Sequence, residues 1–259
     1  MSNSNDPILN KLFQDSNTYI EKALDVNKEE FIKVVQSRRS VRIYNDEQIV
    51  ESDMLQCLEL SLLSANSSNL QPWEFYWVRD ENKKIKLIDY CLGQPAAKTA
   101  QELVVCVARP DNWKKNTQLM LDMSKHKEIP KAVSTYYNKI VPLAYNQGLF
   151  GLFGLIKKIS TYFIGFTRSI PREPTSISDM NVWAHKSTAL ACQTLMLSLR
   201  AFGYDSCPME GIDSHKIKKL LKLPKRAKIC MVISAGKRAD NGVYGKRFRL
   251  PKDRFIKII

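Results

Sequence analysis

Hydrophobic and polar positions follow two rhythms along this chain. Over 29–39 (EEFIKVVQSRR), Phe31, Val34 and Val35 recur at helical spacing. Over 53–65 (DMLQCLELSLLSA), apolar residues at 55, 58 and 62 do the same, with Ser52 placed to cap the helix. Aromatic and β-branched runs predict strands at 74–80 (EFYWVRD) and 102–108 (ELVVCVA), separated by the helical KKIKLIDYCL. Residues 113–177 read as mostly helical and partly irregular. The helix over 183–204 (WAHKSTALACQTLMLSLRAFGY) is apolar on several faces, which makes it central, and Gly203 fits its C-terminal cap. CPMEG then reads as a short turn, DSHKIKKLLKL as a helix, and KICMVISAG (228–236) as a strand. The expected fold is α+β, a mixed central sheet wrapped by helices around a long central helix. Residues 1–27 form a polar arm, and 28–259 a single domain.

Composition narrows the class. The chain has 259 residues, 44% apolar and 25% charged, as in ordinary soluble globular proteins. MSNSNDPILNKLF lacks the basic start and apolar run of a secretory leader. Cys57, Cys91, Cys106, Cys192, Cys207 and Cys230 form no CxxC pair and sit mostly in apolar segments, so reduced buried thiols and a cytoplasmic location are expected. The three histidines are scattered and give no local support for a metal site. The net charge of +14 is uneven: from Gly211 onward, fifteen Lys/Arg face three Asp. Such a bias suits a phosphate ligand, nucleic acid or an anionic membrane, against a simply solvated basic face.

Four segments combine chemistry-bearing side chains. SRRSVR brings Arg38, Arg39, Ser40 and Arg42 to a helix end, and guanidinium and hydroxyl donors so close together suit a phosphate. ANSSNLQPW (65–73) offers compact amides and hydroxyls before a stiff Pro-Trp corner, a polar shelf for a flat ligand with many acceptors. In CPMEGID, Gly211 allows close backbone approach. KRFRLP adds Lys246, Arg247 and Arg249, with 247 and 249 on one side if extended.

In this order and spacing, RRSVR, NLQPW and PMEG resemble the FMN-dependent nitroreductase family, over roughly residues 30–109 and 180–251. The resemblance implies a homodimer with FMN at its interface. Arg38, Ser40, Arg247 and Arg249 would hold the FMN phosphate, with Arg39 beside the ribityl chain and Arg42 at the pyrimidine edge. Ser67, Asn69 and Gln71 would serve the flavin held mainly by the other subunit. Pro208, Met209, Glu210 and Gly211 would pass over the ring, with the N–H groups of Glu210 and Gly211 near N5. Gln94 and Lys98 fall where the family contacts the ring edge. The chain departs from the family at Ser64-Ala65-Asn66, where many members read Ala-Pro-Ser, and no motif is recognised over 110–179, expected to be a variable lid insertion.

No GxSxG, HExxH or paired carboxylates are present. That suits a protein whose cofactor does the redox work. The resemblance implies ping-pong use of NAD(P)H to reduce a flat hydrophobic acceptor, a nitroaromatic or quinone. The alternatives are a flavoprotein without turnover, or a basic protein that binds nucleic acid or a membrane surface. No nucleic-acid motif appears, so nucleic acid is not expected as a partner. GLFGLFGLIKKISTYFIGF (148–166) admits three readings: a core helix, an apolar lid over the flavin carrying Phe150 and Phe153, or an interfacial helix on anionic lipid. The lid is preferred here to peripheral membrane contact.

Overall fold

The computed structural model describes residues 21–125 and 131–259. Most of the expected arm, 1–20, lies outside the described residues, and 21–27 is exposed chain without regular structure. Helix α1 (Lys28–Ser37) starts where Asn27 Oδ1 accepts from the N–H groups of Glu29 and Glu30, at 2.9 and 3.1 Å. Its expected apolar face is not packed within the chain: Phe31 is 62% exposed and no residue of α1 is fully buried. Helix α2 (Glu51–Ser61) begins earlier than expected, at Val50 rather than a Ser52 cap. It turns Met54, Cys57 and Ser61 inward and leaves Leu55 and Leu62 exposed. The stripe through 54, 57 and 61 has the same helical spacing as 55, 58 and 62, so periodicity could not choose between them.

Strand β1 (Trp73–Trp77) is followed by α3 (Glu81–Tyr90), capped by Asp80 Oδ1, which accepts from Lys83 N–H at 2.8 Å. Strand β2 spans Glu102–Ala108 and α4 Trp113–Lys125. Short helical turns lead to α5 (Leu152–Ile164) and the long α6 (Ile177–Ala201). Ser176 Oγ accepts from Asp179 N–H at 3.0 Å and starts α6 six residues before the expected 183. Gly203, at φ +85, lets the chain turn back after α6. Strand β3 (Asp205–Met209), α7 (Ser214–Leu220) and β4 (Lys228–Gly236) complete the core elements.

The sheet order is β1-β2-β4-β3, with every neighbouring pair antiparallel. This corrects the expected mixed sheet. β2 and β3 run the same way, but β4 lies between them, and among the described residues parallel pairing is confined to the bridge between Ser40 and Ser206. The CPMEG turn is corrected too, because Cys207, Pro208 and Met209 belong to β3. A proline is tolerated there because β3 is an edge strand of this ladder. The uninterrupted apolar run of β2 reflects burial on both faces. Leu103, Val105 and Val107 pack with Leu87 of α3, Cys91 just after it, and Ile217 of α7. Val104 and Cys106 pack on the other side with Met54 and Cys57 of α2 and Leu195 and Leu199 of α6. All six cysteines are free thiols.

Candidate functional site

The cationic set assembles at the β3 edge. Arg38 follows α1, Ser40 bridges to Ser206, and Val41 N–H donates to Ser206 O at 3.2 Å. The C-terminal strap is tied to the same place. Arg247 Nη2 donates to Gln36 O at 2.8 Å and Arg38 O at 2.6 Å, and Arg39 Nη2 donates to Gly245 O at 2.6 Å. Burial, together with the Arg247 and Arg249 guanidiniums, holds the Arg38 pKa below the ordinary arginine value. Among the described residues, no carboxylate is among the charges acting on Arg38. The depressed pKa records burial first and the two neighbouring guanidiniums second, and the donor chemistry fits a dianionic phosphate. Three of the four residues predicted to hold phosphate thus converge across about 210 positions of sequence, with Ser40 on the adjoining bridge.

Arg42 lies with its guanidinium 5.1 Å from the Tyr244 ring centroid and donates to Ser40 O at 3.4 Å. Pro208 and Met209 close β3, and Glu210 and Gly211 leave it. Gln94 Nε2 donates to Gly211 O at 2.8 Å and to Cys91 O at 3.0 Å, so the Gln94 and PMEG segments meet. A Cβ on Gly211 would approach nothing closer than Gln94 Nε2 at 3.8 Å, leaving the backbone there open to a flat partner. Burial pushes the Cys207 thiol pKa up, against Arg42, Arg38 and Ser40, which pull it down.

The shelf has a backbone the sequence did not disclose. Ser68, Asn69 and Gln71 adopt φ of 59°, 49° and 46°, a region that non-glycine residues enter at a cost of about 1–3 kcal/mol each. Side chains distant in sequence hold it there. Ser67 Oγ and Ser68 Oγ lie 2.8 and 2.9 Å from the Tyr145 hydroxyl, and Ser68 Oγ lies 2.7 Å from that of Tyr136. Asn116 Nδ2 donates to Leu70 O at 2.7 Å, and Asn66 Oδ1 accepts from Gln71 N–H at 2.8 Å. Tyr136, Tyr145, Asn116 and Asn66 were not expected in this role. Only Asn66, inside the motif, carried a signal that could have been read. Burial raises the Tyr145 pKa, so this hydroxyl stays protonated and able to donate to the serines.

The shelf and the clamp of one chain are far apart. Trp73, beside the shelf, aligns through Ala108 with Lys228, whereas Ser206, beside Ser40, aligns with Ala235. Those seven β4 positions amount to about 23 Å along the strands, and the three strand spacings from β1 to β3 add about 14 Å across. Phe150 and Phe153, expected in a lid, precede and open α5. Phe150 is 89% exposed at φ 52°, and Phe153 is half-buried, with Lys157 Nζ 5.6 Å from its ring centroid.

Comparison with known proteins places this architecture. Over 220 residues the chain is 27% identical to DrgA of Synechocystis, covering 84% of this chain and 88% of that protein. Over 237 residues it is 26% identical to YdgI of Bacillus subtilis, named as a candidate NAD(P)H nitroreductase, covering 88% and 97%. A solved structure from Exiguobacterium sibiricum, a candidate nitroreductase in complex with FMN, superposes with a TM-score of 0.67 at 23% identity, covering 92% of this chain and 99% of that one. The model of the Nitroreductase family matches residues 35–138 and 167–237. Between the two matched segments lies 139–166, inside the expected 110–179, and residues 1–34 and 238–259 also fall outside the match. With more than half of its length matched, this chain belongs to the Nitroreductase family.

Proposed function

We propose that the protein is an FMN-dependent oxidoreductase that uses NAD(P)H to reduce a flat hydrophobic acceptor such as a nitroaromatic or quinone. The observation that carries the reading is the convergence of Arg38, Arg247 and Arg249 beside Ser40 at the β3 edge. When bound, FMN supplies the two-electron chemistry that links donor to acceptor. The chain holds and orients it. Arg38, Ser40, Arg247 and Arg249 grip the phosphate, and Arg39 lies along the ribityl chain. Arg42, held over the Tyr244 ring, would place positive charge at the pyrimidine edge, an electrostatic role. Gly211 and its neighbours Pro208, Met209 and Glu210 present backbone to the ring, with Gln94 at its rim. NAD(P)H and the acceptor take turns at one face.

The separation of shelf from clamp supports a homodimer in which Ser67, Asn69 and Gln71 serve the partner's cofactor. Leu55 of α2, Leu62 at its C-terminal cap, and Val182 and Leu190 of α6 are exposed on two helices that pack against each other, an apolar surface suited to a second copy. The test compares FMN with riboflavin, which lacks the phosphate. The apoprotein should bind FMN about tenfold to a hundredfold more tightly, matching hydrogen bonds to a charged group of roughly 1.5–3 kcal/mol. The FMN-loaded protein should oxidise NAD(P)H with menadione or a nitrofuran as acceptor. Equal affinity for FMN and riboflavin, or no NAD(P)H oxidation by the flavin-loaded protein, would overturn the proposal.

A further inference from the structure

Helix α5 is built inside out. Its protein-facing stripe is small and polar. A Cβ on Gly154 would lie 2.3 Å from Thr175 O, so the backbones are already in close approach there. Lys157 Nζ donates to Ala144 O at 2.7 Å and Pro174 O at 3.0 Å, and Arg172 Nη1 donates to Thr161 O at 3.1 Å. The outward face is apolar, with Leu152, Leu155, Ile156, Ile159, Phe163 and the following Phe166 all exposed. This corrects the core reading of 148–166. An amphipathic helix with Lys157 turned inward, Lys158 at its flank and its leucines outward suits an apolar environment beyond the protein. The helix lies within 139–166, the stretch between the two family-matched segments.

A cationic groove adjoins it. A cavity of about 820 Å³ is lined by Gly148 and Leu149, which lead into α5, and by Lys114, Lys225, Arg226 and Lys228. Residues 131–172 carry Lys131, Lys139, Lys157, Lys158, Arg168 and Arg172 and no carboxylate. We propose that α5 and this groove form a docking surface for an anionic lipid bilayer, with α5 lying in the plane of the interface and lipid headgroups in the groove. The helix is 13 residues long, about 20 Å, too short to span a bilayer. Among the described residues no helix is long and apolar enough to cross one. An exposed apolar face beside a basic patch is the pattern of helices that rest on anionic membranes. A second copy is the competing occupant, and the oligomeric state of the α5 variant separates it from lipid.

The test is co-sedimentation of the FMN-loaded protein with vesicles of phosphatidylcholine, alone or with phosphatidylglycerol. Binding should require phosphatidylglycerol and weaken as salt is raised. Lys225→Ala with Lys228→Ala should weaken it by about fivefold per charge. Leu155→Asp with Ile159→Asp should abolish it. All four side chains are exposed, so thermal midpoints and flavin content should hold in both variants. The proposal fails if the wild-type protein ignores phosphatidylglycerol vesicles, or if the aspartate variant binds them unchanged. A fall in the oligomeric state of the aspartate variant, with vesicle binding intact, would mark α5 as a protein interface and overturn it. An altered acceptor preference in Phe150→Ala/Phe153→Ala, with vesicle binding intact in both that and the aspartate variant, would mark the segment as a lid and overturn it. Vesicle binding is read without turnover, so these results stand apart from the flavin assignment.

Discussion

Arg247 and Arg249 reach the proposed phosphate site by different means, so removing each should separate flavin affinity from fold stability. Arg247 donates to Gln36 O and Arg38 O, two tertiary bonds that fasten the C-terminal strap to the end of α1. Arg249 donates to the carbonyl of its own neighbour Phe248, at 2.8 Å. Arg249→Ala therefore deletes a cation without cutting a tertiary tie. Losing a hydrogen bond to phosphate should weaken FMN binding about tenfold to a hundredfold. The apoprotein should melt at the same temperature or higher, since the substitution lifts one of the like charges that depress the Arg38 pKa. Arg247→Ala should cost affinity and also about 0.5–1.5 kcal/mol for each of its two bonds, lowering the apo midpoint by several degrees. Flavin-fluorescence titration and thermal melts of the apoproteins read both quantities, with Lys257→Ala as the neutral control. Equal affinity losses in all three variants would show diffuse electrostatics rather than a clamp. An apo midpoint in Arg249→Ala that falls as far as in Arg247→Ala would refute the division of roles.

Leu55→Asp with Leu190→Asp should yield monomers that release FMN in sedimentation velocity followed at flavin wavelengths; a flavin-loaded monomer would break the shared-site reasoning. Gly236→Ala would set a Cβ 2.9 Å from Tyr44 Cγ, on a buried ring whose hydroxyl is fixed 2.9 Å from Ser234 Oγ. Overpacking of this kind costs about 1–3 kcal/mol, so the thermal midpoint should drop by several degrees, and an unchanged midpoint would show that the ring can yield. Burial pushes the thiols of Cys57 and Cys91 from 9.0 up to about 12. Raised in the fold, they contribute stability that is intact below pH 9.0 and lost as pH climbs toward about 12. Cys57→Ala with Cys91→Ala should melt with a flatter alkaline dependence than the wild type, and identical slopes would contradict the assignment.

Some of this was legible in the residues alone. The strands at 102–108 and 228–236 were read to the residue, because a continuous apolar run has few other ways to satisfy its backbone while staying buried. The arginine set was legible as chemistry, since closely spaced guanidiniums without acids announce an anion whatever the fold. β3 was not: Pro208 argues against a strand until the sheet shows that it sits at an edge. The inward stripe of α2 could not be told from its neighbour, because both have helical spacing. The strain at Ser68, Asn69 and Gln71 depends on hydroxyls and amides 46–78 residues away, and only folding brings them within reach. The same limit governs α5. Periodicity reveals that a helix has an apolar face, a local property of 13 residues. Which way that face points was settled by carbonyls at Ala144 and Pro174, which claimed Lys157 and turned the leucines outward.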